Sequence, residues 1–158
     1  MSERLLRQSV RPSPLFLVLI AVTAAGGVAA WLSAAEVGPM AYLGVFVFVI
    51  FGWLVSLCLH EFGHAYSAWR CGDHGVEARG YLTLNPLKYT HALLSIVLPV
   101  IFVIMGGIGL PGGAVFIERD RIRGRWRHSL ISAAGPLTNV LFAIACTAPF
   151  WLDALAGV

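Results

Sequence analysis

From Met40 to Arg70 the chain runs MAYLGVFVFVIFGWLVSLCLHEFGHAYSAWR, an apolar stretch that closes on His60-Glu61-Phe62-Gly63-His64. No Asp, Glu, Lys or Arg interrupts it before Glu61, so it is long and apolar enough to cross a bilayer. On a helix, His60 and His64 stand four residues apart and share one face, where both imidazoles can reach a single zinc ion. Glu61 follows directly and can take a proton from a water that the metal activates. In a water-soluble helix these residues would indicate an ordinary zinc peptidase. At the end of a membrane span they point to peptide-bond hydrolysis inside the bilayer or at its edge.

The competing interpretation is a buried Glu-His hydrogen bond without metal. Glu61 is the acidic residue set deep in an apolar span, and burying it there costs at least ~2.5 kcal/mol unless something pairs with it. A histidine pair with zinc and water supplies that compensation, which favours the metal. The span ends in Tyr66, Trp69 and Arg70, amphipathic rings followed by a cation, as expected at headgroup depth. At a rise of ~1.5 Å per residue, the histidines then lie roughly 9–15 Å below that surface.

Composition agrees. Of 158 residues, 58% are hydrophobic and only 12% charged, and the mean hydropathy is +0.80. Soluble domains carry roughly 25% charged residues, and a deficit of half is hard to hide in any water-exposed fold. The length allows one domain and about four crossings of ~20 residues. The net charge of +3 comes from cations next to apolar segments rather than from a continuous basic face. That pattern sets membrane orientation and argues against nucleic-acid binding. Cys58, Cys71 and Cys146 lack C-x-x-C spacing and read as small apolar residues rather than a disulfide frame or a thiolate site.

Outward from the central stretch, a first span is predicted from about Leu15 to Ala35. Arg4, Arg7, Arg11 and the boundary prolines Pro12 and Pro14 precede it, so residues 1–14 form a basic, cytoplasmic N-terminus. Its apolar core exceeds the ~7–15 residues of a signal-peptide h-region, which favours a retained anchor. Gly26-Gly27 allows a neighbouring helix to come close. After Arg70, Gly72 and Gly75 stop the helix, and Val76 to Leu84 has the partial alternation of one short strand or hairpin, with a surface loop as the equal alternative. A strand edge there could hold substrate by strand addition.

Residues 92–110 are apolar but broken by Pro99, Gly106, Gly107 and Gly109. The N-terminus, residues 70–90 and residues 119–127 hold three, three and five Lys or Arg, whereas the connection at 36–39 holds none. A full crossing by 92–110 would put Arg119, Arg121, Arg123, Arg125 and Arg127 on the side opposite the other cations. A re-entrant segment keeps every basic region cytoplasmic and is therefore expected. The final span, from about Ser129 to Leu152, opens with Ala133-Ala134-Gly135-Pro136-Leu137-Thr138-Asn139. Its small residues suit close helix packing, and Asn139 places a polar side chain near the same depth. The expected fold is an all-α polytopic membrane protein with about three full spans, a re-entrant segment and a short strand or hairpin after the catalytic helix.

Three stretches resemble one family. His60-Glu61-Phe62-Gly63-His64, Gly80-Tyr81-Leu82-Thr83-Leu84-Asn85-Pro86-Leu87 and Ala134-Gly135-Pro136-Leu137-Thr138-Asn139 are similar, in this order, to the site-2 protease family of intramembrane zinc metalloproteases, in its bacterial sporulation and stress-response branch. The resemblance covers roughly residues 40 to 145. It implies one Zn2+ on His60 and His64, Glu61 as general base, a transmembrane or membrane-anchored protein substrate, and a catalytic helix ending towards the cytoplasm of a bacterial membrane. Residues 15–158 are then a membrane-embedded metalloprotease core.

One departure matters. Family members usually take a third zinc ligand from an aspartate in an Asn-x-x-Pro…Asp-Gly motif, which this sequence does not contain. Asp153 is a poor substitute: 24 residues beyond Ser129, it falls roughly 36 Å along a helix and near the opposite membrane face. His91 is the better local candidate, although a polar interfacial role suits it more. Asp73 and His74 are expected in a solvated loop and His128 on the basic surface. Either the core is C-terminally incomplete, which is the favoured expectation, or two histidines and an improvised ligand hold zinc weakly. A rival of another class is an inactive homologue that binds membrane helices. A metal carrier would need further His, Asp or Cys along the spans. Substrate identity and oligomeric state are not legible.

Overall fold

The computed structural model describes residues 10–36, 38–89, 101, 104–105, 116–118, 122 and 124–156. Three long helices dominate them: α1 (Pro14–Leu32), α2 (Pro39–Arg70) and, after a single helical turn α3 (Gly75–Ala78), α4 (Arg125–Ala156). All three long helices have the length and apolarity to cross a membrane, as the sequence predicts. Their outer faces carry exposed large apolar side chains such as Leu17, Val18, Phe46, Val49, Val140, Leu141 and Ile144, which hydrocarbon can solvate. The re-entrant segment expected at 92–110 lies almost entirely outside the described residues.

Local chemistry sets the ends of the spans. Ser13 caps α1 by accepting from the Phe16 N–H at 3.1 Å, with Pro14 at the first helical position, where its missing N–H costs nothing. The Ser13 N–H donates to the Thr83 carbonyl at 2.8 Å, tying the entry of α1 to the turns that follow α2. Pro39 likewise opens α2, whose 32 residues make a rod roughly 48 Å long at ~1.5 Å per residue.

Glycine decides how closely the rods approach. A Cβ on Gly44 would stand 2.6 Å from the Ala30 nitrogen, and one on Gly26 2.8 Å from the Phe48 nitrogen, so α1 and α2 touch backbone to backbone. Gly63 does the same against α4, where a Cβ would meet the Ala134 carbonyl oxygen at 2.7 Å. The Thr138 hydroxyl donates to the Leu59 carbonyl at 3.0 Å, holding α4 beside the last third of α2. Among the described spans, α1 thus lies closest to the first half of the central helix and α4 to its second half.

The stretch after α2 corrects an expectation. Residues 76–84 form no strand. They lie in α3 and a 3-10 turn at Tyr81–Thr83, and a second such turn at Pro86–Lys88 follows after Asn85, whose side chain accepts from the Leu87 N–H. Gly80 at φ +74° and Leu84 at φ +55° reverse the backbone twice within five residues, which no extended strand allows. The apolar residues Val76, Tyr81, Leu82 and Leu84 all turn inward, so what resembles alternation is a folded plug. They pack with Val55, Cys58, Ala65, Ala68 and Trp69 of α2 and with Phe16 and Leu19 of α1 into the core.

Two further side chains differ from the sequence expectation. Asp73 is fully buried rather than solvated: one carboxylate oxygen accepts from the Gly75 N–H at 2.9 Å and the other from the Glu118 N–H at 2.8 Å. Trp69 is buried in the core, with its indole N–H donating to Glu77 at 3.1 Å, instead of lying at an interface.

Candidate metal centre

The i, i+4 spacing on α2 brings His60 and His64 together as expected. Their Nε2 atoms face each other at 3.1 Å, with the rings edge to face at a centroid distance of 4.7 Å. Nitrogens bound to one tetrahedral zinc at ~2.0–2.1 Å stand roughly 3.3–3.4 Å apart, so the pair needs only a slight spread to share an ion.

The opposite edges of both rings are held from α4. His64 Nδ1–H donates to the Ile131 carbonyl at 2.7 Å, which fixes its tautomer and leaves the Nε2 lone pair directed at the gap between the rings. His60 Nδ1 lies 3.1 Å from the Asn139 amide nitrogen, and the amide oxygen of Asn139 accepts from Ser56 Oγ at 3.1 Å. Ser56 and His60 are themselves four residues apart on α2, so Asn139 bridges two points on the same face.

Gly135 forms the floor. A Cβ there would collide with His64 Nε2 and stand 2.8 Å from His60 Nε2. The space beside the two nitrogens therefore exists because this position has no side chain. Converging imidazole Nε2 atoms, Nδ1 edges engaged by other groups and a small-residue cradle together fit a zinc ion. Neutral imidazoles with anchored rings are its common protein ligands.

Glu61 is buried, 3% exposed, one residue past His60. Near it, the hydroxyl of the buried Tyr89 donates to the Cys58 carbonyl at 3.1 Å. Burial pushes the Tyr89 phenol well above its ordinary pKa, with Cys58 and Glu61 adding to the effect. Tyr89 therefore stays neutral and ties the plug to α2 two residues before His60.

The other sequence candidates do not join the pair. Asp153 is exposed on α4, fourteen residues past Asn139 and hence roughly 21 Å further along the helix. His91 lies outside the described residues. His74 is exposed and packs edge-on against Trp69, and His128 bonds the Ile122 carbonyl at 3.1 Å. Among the described residues, no third His, Cys, Asp or Glu completes a metal-holding group. Sequence reasoning missed Ile131, Gly135, Ser56 and Tyr89 as parts of the site. The available signal was the facing of two motifs, since Ala134-Gly135-Pro136 can lie against Gly63 only if Gly135 meets the histidine face.

An apolar helix long enough to cross a membrane carries H-E-x-x-H, and a second such helix orients its histidines, the arrangement expected of the zinc metalloprotease class. The chain belongs to Peptidase family M50, the site-2 proteases, whose model matches residues 46–153. It is 59% identical over 154 residues to a Mycolicibacterium smegmatis protein named "Putative zinc metalloprotease Rip2", covering 96% of this chain and 59% of that one. The Mycobacterium tuberculosis protein of the same name is 57% identical over 144 residues, covering 91% and 55% of the two chains. A Bacillus subtilis protein, "Putative zinc metalloprotease YwhC", is 30% identical over 105 residues, covering 64% and 44%. The chain thus spans little more than half the length of the two mycobacterial relatives and less than half of the Bacillus one. No solved structure matches it.

Proposed function

We propose that this chain carries two ligands and the general base of an intramembrane zinc endopeptidase site, with His60 and His64 as ligands of one Zn2+ and Glu61 as general base. The single observation that carries this is the Nε2 pair at 3.1 Å over the Gly135 floor, with both Nδ1 edges engaged from α4. When bound there, zinc would act as a Lewis acid that polarises the scissile carbonyl and acidifies a water. A Glu61 carboxylate oxygen takes the proton from the attacking water and passes it to the leaving amine nitrogen. The burial of Glu61 keeps this exchange away from bulk water. Ile131 holds the His64 ring in place while the charge moves. A durable site needs a ligand beyond the two histidines, which the described residues do not supply.

The substrate class is a transmembrane or membrane-proximal segment, because the site lies on a spanning helix. Arg70 at the end of α2 and the arginines at the start of α4 support a site facing the cytoplasm, in a bacterial cytoplasmic membrane, with residues 1–14 on the same side.

The test uses the full-length protein, reconstituted with a membrane-anchored reporter. Glu61→Gln is expected to keep zinc and lose cleavage, and retained cleavage would refute the base assignment. A wild-type protein without stoichiometric metal would instead favour a helix-binding module on the protease scaffold.

A further inference from the structure

The polar contacts around the histidines form one directional chain. Ser56 Oγ–H donates to Asn139 Oδ1, and the Asn139 amide N–H points at His60 Nδ1. His60 Nε2 meets His64 Nε2, and His64 Nδ1–H donates to the Ile131 carbonyl. With Asn139 donating, the ring proton of His60 sits on Nε2, the nitrogen that faces the metal position. A zinc-ligating His60 carries that proton on Nδ1 instead and needs an acceptor there. Turning the Asn139 amide by half a rotation supplies this acceptor from the same place, and Ser56 Oγ then accepts from the amide N–H. The exchange is a change of tautomer with no change of charge. Every group in it keeps a partner, as polar groups at membrane depth require.

We propose that Asn139 is the positioning residue of the metal centre: its amide oxygen, backed by Ser56, accepts the Nδ1–H of His60 and so turns the Nε2 lone pair to the ion. This rests on the assignment of His60 and His64 as zinc ligands. It also explains why a carboxamide suits this position. A donor-only or acceptor-only side chain could serve one tautomer of His60, whereas Asn serves both.

The experiment measures Zn2+ affinity of the full-length protein in detergent by competition with a chelator, together with the visible spectrum of the Co2+-substituted form. Asn139→Ala is expected to weaken zinc roughly 10–100-fold and to shift the cobalt absorption, the usual cost of losing an outer-shell partner. Asn139→Asp should restore affinity to within about threefold of wild type, because a carboxylate accepts from Nδ1–H and cannot donate to it. Ser56→Ala, which leaves Asn139 in place, should weaken zinc only about threefold and serves if Asn139→Ala does not fold. Wild-type affinity in Asn139→Ala would overturn the proposal. So would a folded Asn139→Asp as weak as Asn139→Ala, since the donor would then be what matters. If Asn139→Ala does not fold, unchanged affinity in Ser56→Ala overturns it. The underlying assignment fails separately, and takes the proposal with it, if His60→Ala binds zinc as tightly as wild type.

Discussion

Replacing Gly135 by alanine adds one methyl group at the most crowded of the described glycines. Its carbon would stand 2.8 Å from His60 Nε2 and 2.7 Å from His64 Cε1, and would collide with His64 Nε2. Ordinary van der Waals contact for such atoms begins near ~3.4 Å, so the rings must give way by roughly 0.6 Å or more. Neither can do so freely, because His64 is tied to Ile131 and His60 to Asn139. Nor can α4 retreat without opening its contact with Gly63. Overpacking of this kind costs ~1–3 kcal/mol, against which alanine in a helix gains ~1 kcal/mol over glycine. The net loss of stability is therefore modest, about 0–2 kcal/mol by the same two terms. Zinc has no such offset, because the methyl sits where the ion would be held. Expected are a folded protein with a melting temperature close to wild type, a zinc affinity lower by at least ~100-fold, and no cleavage of a membrane-anchored reporter. Metal analysis after chelator competition, with thermal unfolding followed by circular dichroism, separates the two effects. Stoichiometric zinc at wild-type affinity in Gly135→Ala would refute the placement of the metal between the histidines and α4.

Two further outcomes follow from the plug that covers the end of α2. Tyr89→Phe removes a buried hydrogen bond to the Cys58 carbonyl and should cost ~1 kcal/mol, read from chemical unfolding. Because burial raises the Tyr89 phenol in the folded state, its stabilising effect is complete below the ordinary tyrosine value near ~10 and falls as pH rises above it. The wild type should therefore lose more stability than Tyr89→Phe between neutral and strongly alkaline pH, and parallel losses would refute this. Asp73→Ala deletes the acceptors that hold the Gly75 and Glu118 amides and should destabilise by ~1–3 kcal/mol. Hydrogen exchange at 116–118 should rise with it, and unchanged protection there would refute the role of Asp73 as the anchor of that segment.

Much of this was legible in the chain. The absence of charge between Met40 and His60 is enough to call a span, and i, i+4 spacing is enough to pair two imidazoles, because both depend only on helix periodicity. Gly26-Gly27 announced the close contact with α2 for a similar reason, since a missing Cβ acts at short range wherever a neighbour arrives. The errors share one cause. Val76 to Leu84 has alternation on paper, but two residues in left-handed backbone geometry fold it into turns, and Leu84 has no Cβ-free signature to warn of this. Asp73 and Trp69 carry polar groups whose partners, Glu118 and Glu77, are set by tertiary contacts rather than by neighbours in a motif. Gly135 and Asn139 fall between these cases. Their residue types were informative, but their function depends on which histidine each one meets, and that is a property of two helices in register.

That register has a consequence for the lipid around the protein. Among the described residues, the groups that orient His60 and His64 come from α4, whereas the histidines ride on α2, whose length of roughly 48 Å exceeds a hydrocarbon layer of ~30 Å. A rod that long must lean or overhang, and by how much varies with the thickness of the bilayer. If α4 slid along α2 by one residue, ~1.5 Å, Asn139 would lose His60 and Ile131 would lose His64 together. Anything that shifted the two spans against each other, a change of bilayer thickness included, would reach both nitrogen atoms at once.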